Sequence, residues 1–318
     1  MRLGILADIH ANREALEAVL IDGANAVDQW WFIGDVLGRG PSPVETLELL
    51  RQHVSTRCWL VGNHDAYVVE LLPSGGASEM EQRIWEDHRS QLKDHRPGGN
   101  APDLWVWCRR TWRMKRAEPR LISMRGADCW LVHAALGDRR LNVGDVSKYS
   151  YIFPWSDMES RVIREQQIER LRGLRQGDRT AVLIHGHTHI PCLVARPWGI
   201  DREVLLPIQY TQPQRLDQFD TVLLNPGSVG QPRNGDPRAA YGILNTDAST
   251  FEFRRVDYDS EPVRLAMAAR NYDIALIHLL EGSHDHNPLK GRNATWLEWE
   301  RIYRAQSWGW EPAGTSYR

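Results

Sequence analysis

The sequence predicts an α/β layered protein, and three features of the chain carry that expectation. Apolar runs of strand length alternate with amphipathic runs of helix length in the N-terminal part, the order that builds strand and helix layers. A succession of short β-type segments follows the middle of the chain. Asp, His and Asn also recur where an apolar run gives way to a loop, the edge along which α/β sheets gather ligands.

Taken in order, "LGILAD" reads as a buried strand, "NREALEAVLID" as an amphipathic helix and "QWWFIGD" as a second strand. "SPVETLELLRQH" is a helix with Ser42 or Pro43 near its start, and "TRCWLVGNHD" a third strand running into a loop. From about Ala66 to Arg125, Gly- and Pro-bearing breaks separate helices expected over 78–95 and 102–116, an insertion that caps the core. A strand resumes at "ADCWLVHAA", followed by a polar loop and the helix "ESRVIREQQIERLRGLRQ", whose mixed charges read as a solvated face. After "TAVLIHGHTH" come strands in "CLVARP", "REVLLPIQY", "DTVLLNPGS", "AAYGILNT" and "TFEFRRVDY". The chain from 260 reads as helix, in "EPVRLAMAARNY" and "IALIHLLEG", with a tail rich in Trp, His and Arg.

At 318 residues the chain can bury one large core or two modest ones. It is 42% hydrophobic and 25% charged with a formal net charge of -2, which argues against holding nucleic acid by bulk electrostatics. A small phosphate-bearing substrate needs only a local positive site and stays open. The opening "MRLGILADIH" is too short an apolar run for a signal peptide, and no run reaches the roughly 18 apolar residues of a membrane span. Cys58, Cys108, Cys129 and Cys192 stand far apart with no CxxC pair, which suits reduced thiols in a cytosol. The 14 Trp fit cores and binding surfaces alike and decide nothing alone.

The chemistry concentrates in "ADIH" (Asp8, His10), "FIGD" (Asp35), "VGNHD" (Asn63, His64, Asp65), "LVHAA" (His133) and "GHTH" (His187, His189). Carboxylate, imidazole and amide oxygen together suit divalent Mn, Fe, Co, Ni or Zn. Strand side chains alternate, so Asp8 and His10 share a face, as do His187 and His189 if extended. A buried group of Asp and His without metal would leave charge uncompensated. Gly186 is expected to let the backbone turn sharply, and His185 to pack in the core rather than bind metal.

In that order, DxH, GD, GNHD, a lone His and GHTH resemble the calcineurin-like metallophosphoesterase superfamily. "GDVLGRGPSPVETLELL" is similar to the GDxxGYGPxP segment of one bacterial branch, and "NPGSVGQPRNGDPRAAYGILN" to that branch's C-terminal signature. Its members are labelled phosphodiesterases, or relatives of diadenosine tetraphosphatases and Ser/Thr phosphatases. The resemblance covers roughly 1–66 and 126–280. It implies an α/β four-layer αββα sandwich with a helical insertion and a C-terminal helical extension. The implied domain is 1–282, with the Trp-rich insertion at about 67–125 and the extension at 283–318.

Carried over position by position, Asp8, His10 and His189 hold one divalent metal and Asn63, His133 and His187 the other, with Asp35 bridging. Mn is the first expectation, with Fe, Zn, Ni and Co as alternatives. Two such metals can share a water, lower its pKa and hold a phosphate ester for in-line attack. Asn63 supplies a neutral oxygen facing the anionic substrate, and His64 protonates the leaving alkoxide or stabilises its charge. Asp65 either orients His64 or serves a turn. The substrate implied is a small phosphate ester or nucleotide, with no membrane partner.

Where the branch has Tyr in GYGP this chain has Arg39, so "GDVLGRG" also looks like the GDxxDRG motif of Ser/Thr phosphatases. Arg39 is expected to grip substrate phosphate, against the alternative of a surface ion pair. Ala11 stands where relatives carry Gly, which is tolerated if its φ is negative. Arg233 and Asn234 could line the site, though turn roles suffice for them. Trp85, Trp105, Trp107 and Trp112 are expected to pack the helical cap rather than stack a nucleobase. The tail's "SHDHN" reads as a polar loop. Trp296, Trp299, Trp308 and Trp310, with the Trp-rich insert, are candidate surfaces for a homo-oligomer. A phosphomonoesterase, including a protein phosphatase, or a non-catalytic scaffold on the same fold, stays open as an alternative. The retained ligand positions and His64 weigh against the scaffold.

Overall fold

The computed structural model describes residues 1–73, 77–96, 102–113, 119–137, 151–154, 158–175, 177–278 and 280. The tail tryptophans and "SHDHN" lie outside these residues.

Strand β1 (Arg2–Leu6) leads to α1 (Arg13–Asp22), β2 (Gln29–Phe32) and α2 (Pro43–His53). The two strands pair in parallel, as a strand–helix–strand crossover requires. Asn12 caps α1 by accepting from the Ala15 N–H, and Pro43 starts α2 without wasting a donor. Alternation along β1 decides the layering. Leu3 and Ile5 enter a core between two sheets, whereas Leu6 joins Leu16, Val19, Leu47 and Leu50 beneath α1 and α2.

The expected third strand does not form. Thr56–Cys58 is a 3-10 turn, Trp59 makes only an isolated bridge to Phe32, and α3 (Asn63–Val68) begins where a loop was expected. The apolar run "WLV" gave a strand signal, but Asp65 turns the backbone at once into a helix by accepting from the Gly62 N–H at 3.0 Å. The insertion helices appear as α4 (Glu79–Asp94) and α5 (Leu104–Arg113). Ser78 and Glu81 form a capping box that fixes the start of α4.

The second half builds the other sheet from β3 (Arg120–Met124), β4 (Ala127–Leu131), β5 (Thr180–Ile184), β6 (Cys192–Pro197), β7 (Val204–Leu205) and β9 (Phe219–Asn225). The 6-stranded order is β3-β4-β5-β9-β6-β7. Strands β10 (Ala239–Asn245), β11 (Thr250–Val256) and β8 (Gln214–Arg215) complete the 5-stranded sheet, β2-β1-β10-β11-β8. In β5, Val182 and Ile184 face the inter-sheet core, while Ala181 and Leu183 face Ile168 and Leu171 of α6 (Met158–Arg172). The result is four layers: helices, sheet, sheet, helix. Helices α7 (Glu261–Ala269) and α8 (Ile274–His278) follow, and their apolar faces meet Ile84 of α4.

Helix α6 corrects one reading. Its charges do not all face solvent, because Arg164 and Gln167 are buried, Arg164 donating to Glu203 and Gln167 accepting from the Leu136 N–H. Buried Arg196 on β6 is met by Glu165 and Glu169 of the same helix. These pairs tie α6 to the sheet.

Candidate metal centre

Strands β1, β2, β4 and β5 all end at one edge, and the next few residues carry the polar side chains. None of these segments continues as a strand. Asp8, His10 and Ala11 have φ of 53, 51 and 54°, Asp35 has 62°, and His187 and His189 have 65 and 60°. Side-chain alternation therefore does not set where these groups point. Left-handed turns do, each held by its surroundings: the Asp8 N–H donates to Gly34 O at 3.0 Å, His10 N–H to Asp35 O at 2.9 Å and Ala11 N–H to Val36 O at 2.7 Å. Such conformations cost about 1–2 kcal/mol per non-Gly residue and persist where packing over-determines them. The condition set for Ala11 is not met, because its φ is positive.

Two clusters result, Asp8–His10–His189 and Asp35–His133–His187, all buried, with ligand atoms in each lying within 4.8 Å of one another. His187 and His189 thus go to different clusters, whereas an extended segment would have sent both to one. Asp35 Oδ2 stands between them, 3.8 Å from His10 Nε2 and 3.4 Å from His133 Nε2. Asn63 Oδ1 lies 3.1 Å from His133 Nε2. The hydrogen bonds fix the histidine tautomers. His10, His133 and His189 each donate from Nδ1 to a backbone carbonyl, of Leu37, Ile33 and Gln231. The Nε2 lone pairs of His10 and His189 then turn inward and face each other at 3.0 Å, while His133 Nε2 is aimed at the Asn63 and Asp35 oxygens. Converging lone pairs beside a buried carboxylate oxygen that accepts no hydrogen bond among the described residues fit a cation.

Glycines make room where backbone meets carboxylate. A Cβ on Gly62 would lie 1.9 Å from Asp35 Oδ1. On Gly186 it would lie 2.8 Å from Asp8 Oδ2, and Gly186 is absent from the positive-φ glycines. The backbone does turn sharply here, Thr188 N–H donating to Gly186 O at 2.7 Å, but the left-handed residue of that turn is His187 at φ 65°, and Gly186 itself serves close approach.

A family model described as the calcineurin-like phosphoesterase superfamily domain matches residues 1–249. The chain belongs to that superfamily. An uncharacterised protein of Methanocaldococcus jannaschii is 27% identical over 81% of this chain and 88% of its own length. A symmetrical bis(5'-nucleosyl)-tetraphosphatase of Neisseria gonorrhoeae is 29% identical over 41% of this chain, which spans only 42% of that enzyme. Among solved structures, a metallophosphoesterase from Sphaerobacter thermophilus superposes with a TM-score of 0.66 at 25% identity, covering 89% of this chain and 99% of that one. A Pyrococcus horikoshii protein shares the fold, with a TM-score of 0.60 at 13% identity over 89% of this chain and 99% of its own.

In this phosphoesterase the charges of the centre are set by burial and mutual contact. Burial pushes Asp8 up to about 7 and His10 down to about 3. Burial opposes a charge on His133 as well, but the Asp35 and Asp8 carboxylates override it and raise the imidazole to about 9. Protons thus occupy sites that a divalent cation would take over.

The remaining expected residues separate. The Asp65 carboxylate accepts from the N–H groups of Asp35, Val36, Leu37 and Gly62, at 2.8 to 3.0 Å, so it holds the turn and does not touch the His64 ring. His185 is buried beside Asn225 Nδ2 at 3.2 Å, outside both clusters. Arg39 pairs with Glu81 of α4 at 3.0 Å, and its side chain is mostly buried, with Arg233 and Asp35 among the charges that act on it. Arg233 is buried on the loop whose Gln231 carbonyl holds His189. Trp112 packs in the core and Trp105 and Trp107 pack against it, with Arg51 over the Trp107 ring at 4.2 Å.

Glu81 and His88 border the site without having been singled out in the sequence, and they stand there with Trp85. Their spacing on "EMEQRIWEDHRS" puts them on one helical face, which was legible, but the sequence does not say what that face meets. It meets the loop carrying Arg39. His88 accepts from the Gly38 N–H at 3.2 Å and donates from Nε2 to Gly40 O at 2.7 Å, while Trp85 Nε1–H donates to His64 Nδ1 at 3.2 Å.

Proposed function

We propose that this chain hydrolyses phosphodiesters or nucleotide phosphoanhydrides with two divalent metal ions. The observation that carries the reading is the pair of buried clusters with Asp35 Oδ2 between them. Asp8, His10 and His189 would hold one ion and Asn63, His133 and His187 the other, with Asp35 shared. An oxygen and nitrogen donor set without thiolate favours Mn, with Fe, Zn, Ni and Co as alternatives. When bound, the two ions supply Lewis acidity toward phosphoryl oxygens and a nucleophile from water near neutral pH.

The protein's own groups do the rest. Asn63 contributes a neutral oxygen, which lessens repulsion of an anionic substrate. Arg39 and Arg233 put guanidinium charge at the rim, where a phosphate oxygen can take paired hydrogen bonds. Glu81 holds Arg39 in place. His64 is buried beside His10, with ring centroids 5.1 Å apart, and belongs to neither cluster, which leaves it to serve the leaving oxygen. Residues 1–282 form the catalytic unit in this reading, with 67–125 as its insertion and 283–318 as an extension. Four buried cysteines with no disulfide among them fit a cytosolic setting. Among the described residues no helix is long and apolar enough to cross a membrane.

The test is turnover by metal-stripped protein, with and without Mn²⁺, of an aryl phosphodiester, an aryl phosphomonoester and a bis(5'-nucleosyl) tetraphosphate, beside His64→Ala. The expected result is metal-dependent cleavage of the diester or the tetraphosphate, reduced about 100-fold or more in the variant. Cleavage of the monoester alone would replace the reading with a phosphomonoesterase. No cleavage with both metals bound would leave a non-catalytic member of the fold.

A further inference from the structure

His64 carries two ring nitrogens, and the structure distinguishes them. Nδ1 lies 3.2 Å from Trp85 Nε1, whose indole N–H can only donate, so Nδ1 is the acceptor and the ring proton sits on Nε2. The described residues give Nε2 no hydrogen-bond partner. Among the described residues Trp85 is the donor that meets Nδ1. Asp65, next in the chain, gives its carboxylate to backbone N–H groups. Gly38 presses on the Nδ1 edge so closely, at φ +113°, that any Cβ there would lie 2.6 Å from Nδ1.

Trp85 is itself fixed. It is buried, stacks on Tyr67 with ring centroids 4.7 Å apart, and sits on α4 between two other anchors to the same loop. Those are Glu81 on Arg39 and His88 on Gly38 and Gly40. One helical face of the insertion thus holds the arginine, the loop and the histidine together.

We propose that Trp85 is a positioning residue, holding His64 as its Nε2–H tautomer so that this N–H donates a hydrogen bond to the leaving oxygen of the substrate. This rests on the hydrolase reading above and selects, of the two roles open to His64, charge stabilisation over proton transfer. A water-derived oxygen, its proton lost to solvent, bonds to phosphorus as the P–O bond to the leaving group breaks with its electron pair passing to the leaving oxygen. That oxygen takes a proton from solvent after departure, and His64 ends the step with the Nε2 proton it began with. A neutral donor of this kind contributes most where most charge builds up, so poor leaving groups depend on it more than activated ones.

The test uses Trp85→Phe, which keeps the ring and the stack on Tyr67 but removes the N–H. Rates on phosphodiesters with alkyl and with nitroaryl leaving groups are compared with those of His64→Ala, and the tautomer of His64 is read by ¹⁵N NMR on the metal-free protein. The expected result is a fall of about 10-fold or more in kcat for the alkyl ester at little changed KM, a much smaller fall for the nitroaryl ester, and loss of the pure Nε2–H tautomer. Equal losses on both esters, no loss, or an unchanged tautomer would overturn the assignment of Trp85. If His64→Ala itself fails to discriminate the esters, the role given to His64 fails, and the proposal for Trp85 falls with it even if the tautomer shifts.

Discussion

At the scale of single residues the centre is built from backbone exceptions. Ala11 sits at φ 54° and is fully buried. Ala11→Gly would relieve about 1–2 kcal/mol of left-handed strain, offset by about 0.8 kcal/mol of lost methyl burial and about 0.5–1 kcal/mol of unfolded-chain entropy. We expect urea unfolding to find the variant within about 1 kcal/mol of the parent. Ala11→Val should cost more than about 2 kcal/mol, because a β-branched residue resists that φ. Gly62→Ala is predicted to act on metal instead. Its Cβ would meet Asp35 Oδ1 at 1.9 Å, so the carboxylate must move away from both clusters. Elemental analysis after reconstitution should find less than the parent's metal content in a folded protein. Full occupancy would show that Asp35 is not shared.

At the scale of elements, α4 links the insertion to the site, and His88 makes the link sensitive to acid. Burial lowers His88 to about 4 from 6.5, with Asp87 and Arg270 beside it acting in opposite directions. The unfolded chain therefore binds the extra proton first as pH falls. The stability His88 contributes is complete above about pH 6.5 and is lost progressively toward pH 4, amounting to about 2 kcal/mol at pH 5. Urea unfolding of chelated protein at pH 7.5 and pH 5 should show a loss to which the other buried histidines, His10 and His185 among them, also contribute. His88→Gln, which offers hydrogen-bonding groups but does not titrate, should shrink the difference. The insertion helices were readable from their periodicity and breakers, whereas the face they turn to the site was not. The failed strand at 56–65 has a related cause: its apolar run is real, but the Asp65 cap overrides it through bonds to residues some thirty positions earlier.

At the scale of the whole molecule, the two sheets bring four strand ends together and leave buried charge that a cation would balance. Chelation should lower the thermal midpoint by several degrees and Mn²⁺ should restore it, since a ligand at 1,000 times its Kd adds about 4 kcal/mol. A midpoint indifferent to chelation would mean that the clusters hold no metal in the folded protein. By itself, the sequence determined the layered class, the order of most strands and helices, the superfamily and the residues that meet at the centre. Each of these follows from local periodicity or from short motifs, which a linear chain displays directly. Only the tertiary structure decided that left-handed turns rather than strand alternation aim His187 and His189, that Gly186 serves close approach, that Asp65 is spent on backbone N–H groups, and that Trp85 meets His64. Those outcomes depend on left-handed turns and on contacts between segments far apart in the chain, where the packing of one element sets the direction of another's side chains.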